Sequence, residues 1–356
     1  MKDRHTLFPI VNRPIFDLYE QQVKSLWTPY EIDYSKDKDQ FNKLEKDEKH
    51  LVLQILAFFA QSDAIVNENL CFRFMKDINI PEMLQFYSMQ IGVEAIHSHT
   101  YALLIDNYID DAKEKDRLFN AIKNFPAIEK KANWMKKWIL SQDSFAKRLF
   151  AFSLVEGVFF AGSFCTIFWF RDKNKLPALS HANRLIQLDE NLHMLGAAVL
   201  YKELLKLDGK IKKNEFILRS QIDSLQNEEI GRLTKENHIL KKFMLNNSQE
   251  FKKITQEEAQ QITEEAVSIE KEFINESIRV QLLGINANLM SQYIQYIADL
   301  NLSEFGFQKI YNVKQPFDFM RKMDIRTKVN FFEDRSSEYL APKREDPNFD
   351  QINEEF

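Results

Sequence analysis

The sequence Ile-Gly-Val-Glu-Ala-Ile-His-Ser-His-Thr-Tyr-Ala-Leu-Leu-Ile-Asp, residues 91 to 106, decides the fold of this protein. It contains no proline, and its apolar residues recur at helical spacing. On such a helix Glu94, His97 and Tyr101 lie at positions i, i+3 and i+7, within roughly 60° of one another around the axis. A carboxylate in this apolar setting is costly to bury unless a cation neutralises it, and an imidazole nearby is a suitable second ligand.

A second Glu-x-x-His pattern occurs at Glu190 and His193, again within an apolar helical pattern. One copy alone would fit a capped or solvated helix face, but a second copy makes chance a poor explanation. Two isolated acids, Asp63 and Glu156, lie in further apolar segments. One acid from each of two helices and Glu-x-x-His from each of two others form the ligand set of two metal ions in a ferritin-like bundle. The sequence therefore predicts an all-α, ferritin-like helical bundle with a dimetal-carboxylate centre at Asp63, Glu94, His97, Glu156, Glu190 and His193.

The composition agrees with a helical globular protein. Only eight glycines and nine prolines occur in 356 residues, beside 30 phenylalanines, which disfavours a turn-rich β architecture. The net charge of −5 and the lack of a recurring basic stripe predict that the protein does not bind nucleic acid. Cys71 and Cys165 lie in apolar helical contexts and are expected to be buried free thiols. With no signal-peptide pattern at the start, this predicts a cytoplasmic protein.

One segment imitates a membrane span. Leu149 to Phe170 is a 22-residue run whose only charged residue is Glu156, and its length would allow it to cross a bilayer. Because a carboxylate lies inside the run and Arg148 and Arg171 flank it, we interpret it as the buried central helix of the bundle, with no membrane association.

The predicted organisation is a single helical domain over residues 1–332 and a disordered tail over residues 333–356. Within the domain, residues 206–255 are dense in polar and charged residues and are expected to form a helical insertion, whereas the polar stretch through Asp33 and Asp37 is expected to be extended. The tail ends with apolar anchors among acids, at Phe349, Ile352 and Phe356. Such a pattern predicts a peptide that orders when it docks on a partner; a merely solubilising tail is the alternative.

With these features, the sequence resembles the radical-generating small subunit of class I ribonucleotide reductase, especially the eukaryotic and viral type. The resemblance covers roughly residues 10 to 205 and 255 to 345. The matching stretches are Leu26-Trp-Thr-Pro-Tyr-Glu-Ile-Asp, Ser62-Asp-Ala-Ile-Val-Asn-Glu-Asn-Leu, Glu94-Ala-Ile-His-Ser-His-Thr-Tyr, Val155-Glu-Gly-Val-Phe-Phe-Ala-Gly-Ser-Phe, Asp189-Glu-Asn-Leu-His and Pro316-Phe-Asp-Phe-Met.

The resemblance implies that the six ligands hold two metal ions, usually iron, that react with dioxygen. Manganese-iron and dimanganese centres are the alternatives, since carboxylate and imidazole ligands suit both metals. Tyr101 would then be oxidised to a stable radical. Phe160, Phe164 and Ile186 match positions that line the radical site, and their spacing from Glu156 and Glu190 also directs them towards one pocket.

The resemblance also implies a route for the radical and two partners. Trp27, Asp189 and Tyr339 match residues that relay a proton-coupled electron to a separate large subunit, with His97 linking Asp189 to the metal. The tail would dock on that large subunit, and the protein would form a homodimer. The implied activity is the reduction of ribonucleotides to deoxyribonucleotides for DNA replication, as ribonucleoside-diphosphate reductase. The sequence has no glycine-rich nucleotide loop or catalytic cysteine pair, which agrees with chemistry on the large subunit.

The sequence departs from the family pattern at two places, and two alternative functions stay open. Leu188 stands where many family members have arginine, and the polar block within residues 206–255 is longer than the usual connection. Another ferritin-like dimetal oxidase acting on a small apolar substrate, or an inactive metal-binding paralogue, would share the ligands. The combination of Trp27, Tyr101, Tyr339 and a docking tail argues against the oxidase, and the intact ligands together with Tyr101 argue against the paralogue. The external reductant and the nucleotide preference are not predicted.

Overall fold

The computed structural model describes residues 6–220, 225–245, 251–278 and 285–323. These residues form helices and loops without a β-strand, which confirms the all-α prediction. Tyr339, Phe349, Ile352 and Phe356 lie outside the described residues, as does the whole predicted tail.

Fifteen α-helices occur in the part of the sequence that the structure describes. Their bounds are α1 Arg13–Ser25, α2 Ser35–Lys43, α3 Lys46–Asn69, α4 Met75–Asp77, α5 Pro81–Tyr108, α6 Ala112–Phe119, α7 Ala121–Asn124, α8 Pro126–Leu140, α9 Phe145–Leu154, α10 Ala161–Asp172, α11 Pro177–Ser220, α12 Asn227–Met244, α13 Gln256–Ser277, α14 Ala287–Phe305 and α15 Asp318–Met323. A π-helical segment at Leu70–Phe74 follows α3, and a second at Val155–Phe159 joins α9 to α10.

Four helical rods form the centre of the bundle: α3, α5, the continuous rod from α9 through the π-helical segment to α10, and α11. Helix α3 lies along α5, and α11 packs against α5, α9 and α10. The approach of α11 to α5 requires a glycine, since a Cβ at Gly196 would lie 2.4 Å from Cζ of Phe86. This close contact brings together the two helices that carry the Glu-x-x-His patterns.

Two helical stretches, Lys46–Asp77 and Phe145–Asp172, are long and apolar enough to cross a membrane. In Phe145–Asp172, 94% of the most apolar window is buried within the protein, compared with 61% in Lys46–Asp77. Surrounding helices therefore cover the Glu156 segment, as expected for the central helix of a bundle.

Asp37 lies in α2, so the expectation of an extended stretch there was wrong. Its carboxylate is fully buried and accepts hydrogen bonds from the backbone N–H groups of Ala178 and Leu179, each at 2.8 Å. Tyr108 donates a third bond from the end of α5, at 2.7 Å. The first N–H groups of a helix have no partner within the helix, and a carboxylate from elsewhere in the sequence satisfies them here. Asp37 thus fixes the start of α11 relative to α5.

The expectation of two buried thiols was right for Cys165 and wrong for Cys71, which is exposed. The π-helical segment that contains Cys71 turns Leu70 and Phe74 into the core. The residues between them consequently face outward, and Phe72 beside Cys71 is 62% exposed.

The polar region around residues 206–255 contains the second half of α11 and all of α12, which pack together. Two asparagines join them: Asn214 donates to Oδ1 of Asn237 at 2.9 Å, and Asn237 donates to the carbonyl of Ile211 at 3.3 Å. Both asparagine side chains are largely buried, so the two helices meet through a satisfied polar contact.

Candidate metal centre

The six predicted ligands meet in the core of the bundle. Their exposed fractions run from 0 to 7%. They form two groups, Asp63 with Glu94 and His97, and Glu94 with Glu156, Glu190 and His193, and within each group one ligand atom from every residue lies within 4.8 Å of the others. Glu94 belongs to both groups. Glu94 would therefore contribute to the binding of both cations.

The imidazoles and carboxylates of the cluster face a common space. Nδ1 of His193 lies 2.9 Å from Oε1 of Glu94 and 3.2 Å from Oε2 of Glu190. Nδ1 of His97 lies 3.0 Å from Oε1 of Glu190 and 3.4 Å from Oε2 of Glu94. Each histidine thus turns one nitrogen towards the same two carboxylates.

Several of these atoms are buried without a hydrogen-bond partner of good geometry. Among those that face the cluster are Oδ2 of Asp63, both carboxylate oxygens of Glu94, Oε2 of Glu156 and Nδ1 of His97. Buried polar atoms are normally satisfied, because leaving them unpaired costs free energy. Two divalent cations would satisfy them, and a carboxylate-imidazole donor set suits iron and manganese. The residues present therefore fit a dimetal centre.

The cluster shifts the proton affinity of its own members. Burial and the neighbouring carboxylates raise the pKa of Asp63 and of Glu156 well above their usual range. Burial alone would lower the pKa of His193, but Glu94 and Glu190 outweigh it and raise that pKa to about 9. The carboxylates raise the pKa of His97 in the same way. Without metal, His193 consequently carries a proton at neutral pH.

Trp27 and Asp189, both predicted relay residues, meet beside His97. Oδ2 of Asp189 accepts a hydrogen bond from Nε1 of Trp27 at 2.8 Å and lies 3.1 Å from Nε2 of His97. The indole also stacks on the imidazole, with ring centroids 6.1 Å apart. One carboxylate oxygen therefore joins a buried indole to a candidate metal ligand, and it orients the His97 ring so that Nδ1 faces the cluster.

Tyr101 is fully buried in an apolar pocket on α5, but its closest neighbours were not predicted. The ring of Phe59 stacks on it with centroids 4.6 Å apart and planes 3° from parallel. Phe160 and Phe164 pack against Phe59 at 5.3 and 5.2 Å. The predicted pocket residues thus form a wall behind Phe59, and Ile186 on α11 is fully buried as well.

Asn183 is the second neighbour that the sequence reasoning missed. The hydroxyl of Tyr101 donates a hydrogen bond to its Oδ1 at 3.0 Å. A sequence signal was available in both cases, since Phe59 lies four residues before Asp63 and Asn183 seven before Glu190, which places each on the ligand face of its helix.

The family model described as the ribonucleotide reductase small chain matches residues 4–235 and 218–316. The chain belongs to the ribonucleotide reductase small-chain family. The ribonucleoside-diphosphate reductase small chain of Vaccinia virus (strain Ankara) is 40% identical over 337 residues, which cover 95% of this protein and 91% of the relative. A ribonucleoside-diphosphate reductase small chain of Arabidopsis thaliana is 42% identical, over 94% of this protein and 85% of the relative.

Solved structures of ribonucleotide reductase small chains share the fold. A ribonucleotide reductase homodimer from Saccharomyces cerevisiae superposes with a TM-score of 0.69 at 29% identity, covering 96% of this protein and 91% of the other. An R2 subunit from Clostridium botulinum gives a TM-score of 0.69 at 19% identity, over 90% and 91%. The ferritin-like prediction is confirmed, and the protein is the small subunit of an oxidoreductase, ribonucleoside-diphosphate reductase.

A buried ion pair of this reductase subunit holds the segment that carries Glu156. Nζ of Lys131 donates to the carbonyl of Phe159 and to Oε2 of Glu270, both at 2.6 Å. Oε1 of Glu270 accepts from the backbone N–H of Gly162 at 3.2 Å, and a Cβ at Gly162 would lie 2.7 Å from that oxygen. Gln90 contacts Glu156 directly, donating to its Oε1 at 3.1 Å. The Lys131–Glu270 pair and Gln90 therefore both hold the π-helical segment in place.

We expect the metal affinity of this reductase subunit to rise from about pH 6 to about pH 9, because its ligands must release protons to bind metal. The pKa of His193 is raised from 6.5 to about 9 by folding, so the stability it contributes without metal is complete below about pH 6.5 and is lost as the pH passes about 9. The increase in melting temperature on adding Mn(II) should therefore grow with pH. Thermal unfolding with and without Mn(II) measures it, and an increase that does not change with pH would contradict the prediction.

Proposed function

We propose that this protein is the radical-generating subunit of the reductase, with two metal ions at the six core ligands and a tyrosyl radical at Tyr101. The observation that carries the proposal is the position of Tyr101. It lies on the same helix as Glu94 and His97, and all three side chains are fully buried. The phenol thus shares one buried core with a site suited to redox-active metals.

With two iron ions bound, reaction with dioxygen would supply an oxidant able to take an electron from a phenol. The protein determines the state of that phenol. Burial, and then the negative charge of Asp63, Glu190 and Glu94, raise the pKa of Tyr101 well above its usual value. Its oxidation must consequently remove a proton together with the electron. The wall of Phe59, Phe160 and Phe164 keeps water and reductants from the tyrosyl radical.

The relay begins at Trp27, Asp189 and His97. Asp189 accepts the indole N–H and contacts the imidazole through the same oxygen, which links Trp27 to a candidate ligand by two short contacts. Trp27 is 2% exposed, but Tyr30, three residues later, is 78% exposed. The segment that carries the buried indole therefore reaches the protein surface within three residues, and a large subunit can bind there. Tyr339 would continue the relay, and Phe349, Ile352 and Phe356 would bind the large subunit.

The proposal includes a homodimer and an iron centre in a cytoplasmic protein. The yeast relative is described as a homodimer, which supports the first of these. The ligand set accepts manganese as well, and a structure from Streptococcus sanguinis with the same fold is described as a dimanganese(II) protein. Iron and manganese therefore both suit the ligand set.

We expect the metal-free protein, loaded with Fe(II) and exposed to oxygen, to give the electron paramagnetic resonance signal of a tyrosyl radical. The Tyr101→Phe variant should take up the same amount of iron and give no such signal, because only the oxidisable hydroxyl is lost. Tyr87→Phe is the matched control: Tyr87 is also on α5 and 3% exposed, and its variant should keep the signal.

Iron uptake without a radical would contradict an iron-dependent radical subunit. Repeating the experiment with Mn(II), and with both metals, would then separate a manganese-containing centre from a paralogue that only holds metal. A radical that persists in Tyr101→Phe would place the radical on another residue.

A further inference from the structure

The hydroxyl of Tyr101 has a specific partner that the proposed radical chemistry does not account for. It donates to Oδ1 of Asn183 on α11 at 3.0 Å, across 82 residues of sequence. Both side chains are fully buried. Burial and then the carboxylate cluster raise the pKa of Tyr101, and the proton of the phenol is directed at a neutral amide.

The orientation of that amide is determined by a second bond. Nδ2 of Asn183 donates to the carbonyl of Leu179 at 2.9 Å, one turn earlier on α11. Because Nδ2 of Asn183 is bonded to this carbonyl, Oδ1 must be the atom that faces the phenol. Asp37 holds the backbone N–H of Leu179 and also accepts from Tyr108 on α5, so the turn that carries the amide is tied to the helix that carries Tyr101.

The two oxidation states of Tyr101 need different partners. The reduced phenol has an O–H to donate, and the amide oxygen accepts it. The neutral radical forms when the phenol loses one electron, to the oxidised metal centre of the proposed function, and one proton. Its oxygen has no hydrogen left to donate, and it faces an amide oxygen that has none either. An amide oxygen cannot keep the proton at neutral pH, so the proton must pass to a stronger base, and the carboxylates whose charge acts on Tyr101 are such bases.

We propose that Asn183 is a positioning residue that stabilises the reduced phenol of Tyr101 relative to its radical, and so makes the radical a stronger oxidant. The inference rests on the proposed function and deepens it. The hydrogen bond should shorten the lifetime of the radical, because it favours the return of an electron and a proton to Tyr101. The stack of Phe59 on Tyr101 keeps the ring in the orientation that this hydrogen bond requires.

The first measurement needs no metal. The vibrational difference spectrum between the metal-free protein and its Tyr101→Phe variant isolates the Tyr101 phenol. We expect it to show a hydrogen-bond donor, to lose that signature in an Asn183→Leu background, and to regain it with Asn183→Asp, which keeps an acceptor. Asn301→Leu is the matched control, since Asn301 is also fully buried but bonds to Ser153. An unchanged spectrum in Asn183→Leu overturns the inference.

The second measurement follows the radical. In Asn183→Leu the radical should survive a small one-electron reductant roughly fivefold longer than in the parent, the equivalent of one ordinary hydrogen bond lost from the reduced state. Its resonance spectrum should keep the tyrosyl line shape. An unchanged or shorter lifetime means that Asn183 has only a structural role, and it overturns the inference alone. Absence of a radical in the parent overturns the proposed function, and this inference with it, whatever the metal-free spectrum shows.

Discussion

A Glu94→Gln variant should fold normally and lose its ability to bind metal at both positions. Glu94 is the one residue shared by the two ligand groups, and an amide replaces one of its oxygens with a nitrogen that does not coordinate. Changing even a residue that only supports a ligand costs about 10- to 100-fold in metal affinity, so losing the bridging ligand should cost at least about 100-fold. The radical and the reductase activity should disappear together.

The measurement is metal content per protomer after loading and desalting, with circular dichroism as the check on folding. Glu82→Gln is the matched control. Glu82 lies on the same helix and is fully buried, but its Oε1 accepts from the backbone N–H groups of Val11 and Asn12 at 2.7 and 3.2 Å. A glutamine keeps that acceptor, so the control should bind about two ions, as a dimetal bundle does. Full metal uptake by Glu94→Gln would refute the assignment of Glu94 as the bridge.

A Trp27→Phe variant should form the Tyr101 radical and lose turnover with the large subunit. Phenylalanine preserves an aromatic ring but cannot donate to Asp189 and is far harder to oxidise than indole. The bond from Nε1 of Trp27 to Asp189 would be lost, whereas the contact of Asp189 with His97 would remain. We expect deoxyribonucleotide formation to fall at least about 100-fold, which corresponds to about 2.7 kcal/mol of activation free energy.

Radical yield and product formation, measured on the same preparation, test this separation. Trp138→Phe is the control, because Trp138 is another buried tryptophan, 5% exposed, on the scaffold helix α8. It should leave both quantities unchanged. Parent-like turnover in Trp27→Phe would remove Trp27 from the relay, and loss of the radical itself would show that Trp27 supports the metal centre instead.

The candidate ligands could be picked out from the sequence because their spacing is local, and the structure brings them together in the core. A helix places residues i and i+3 on one face whatever surrounds it. The spacing alone therefore predicts that Glu94 and His97 project to the same side, as do Glu190 and His193. Asp63 and Glu156 are lone acids in apolar helices, and a buried carboxylate requires a partner that compensates its charge. The same argument predicted that the run around Glu156 is a buried helix, and the structure covers it on all sides.

The tertiary structure alone decided which faces meet. Asp37 looks like part of a polar surface stretch, yet it is buried at the start of α11, 141 residues from the N–H of Ala178 that it binds. Lys131 and Glu270 lie 139 residues apart and meet behind the π-helical segment. Asn183 reaches Tyr101 only because α11 packs against α5 at Gly196. Helical periodicity is a property of a few consecutive residues and therefore determined which candidate ligands share a helix face. The partners of Asp37, Lys131 and Tyr101 depend instead on the packing of whole helices, which no local pattern specifies.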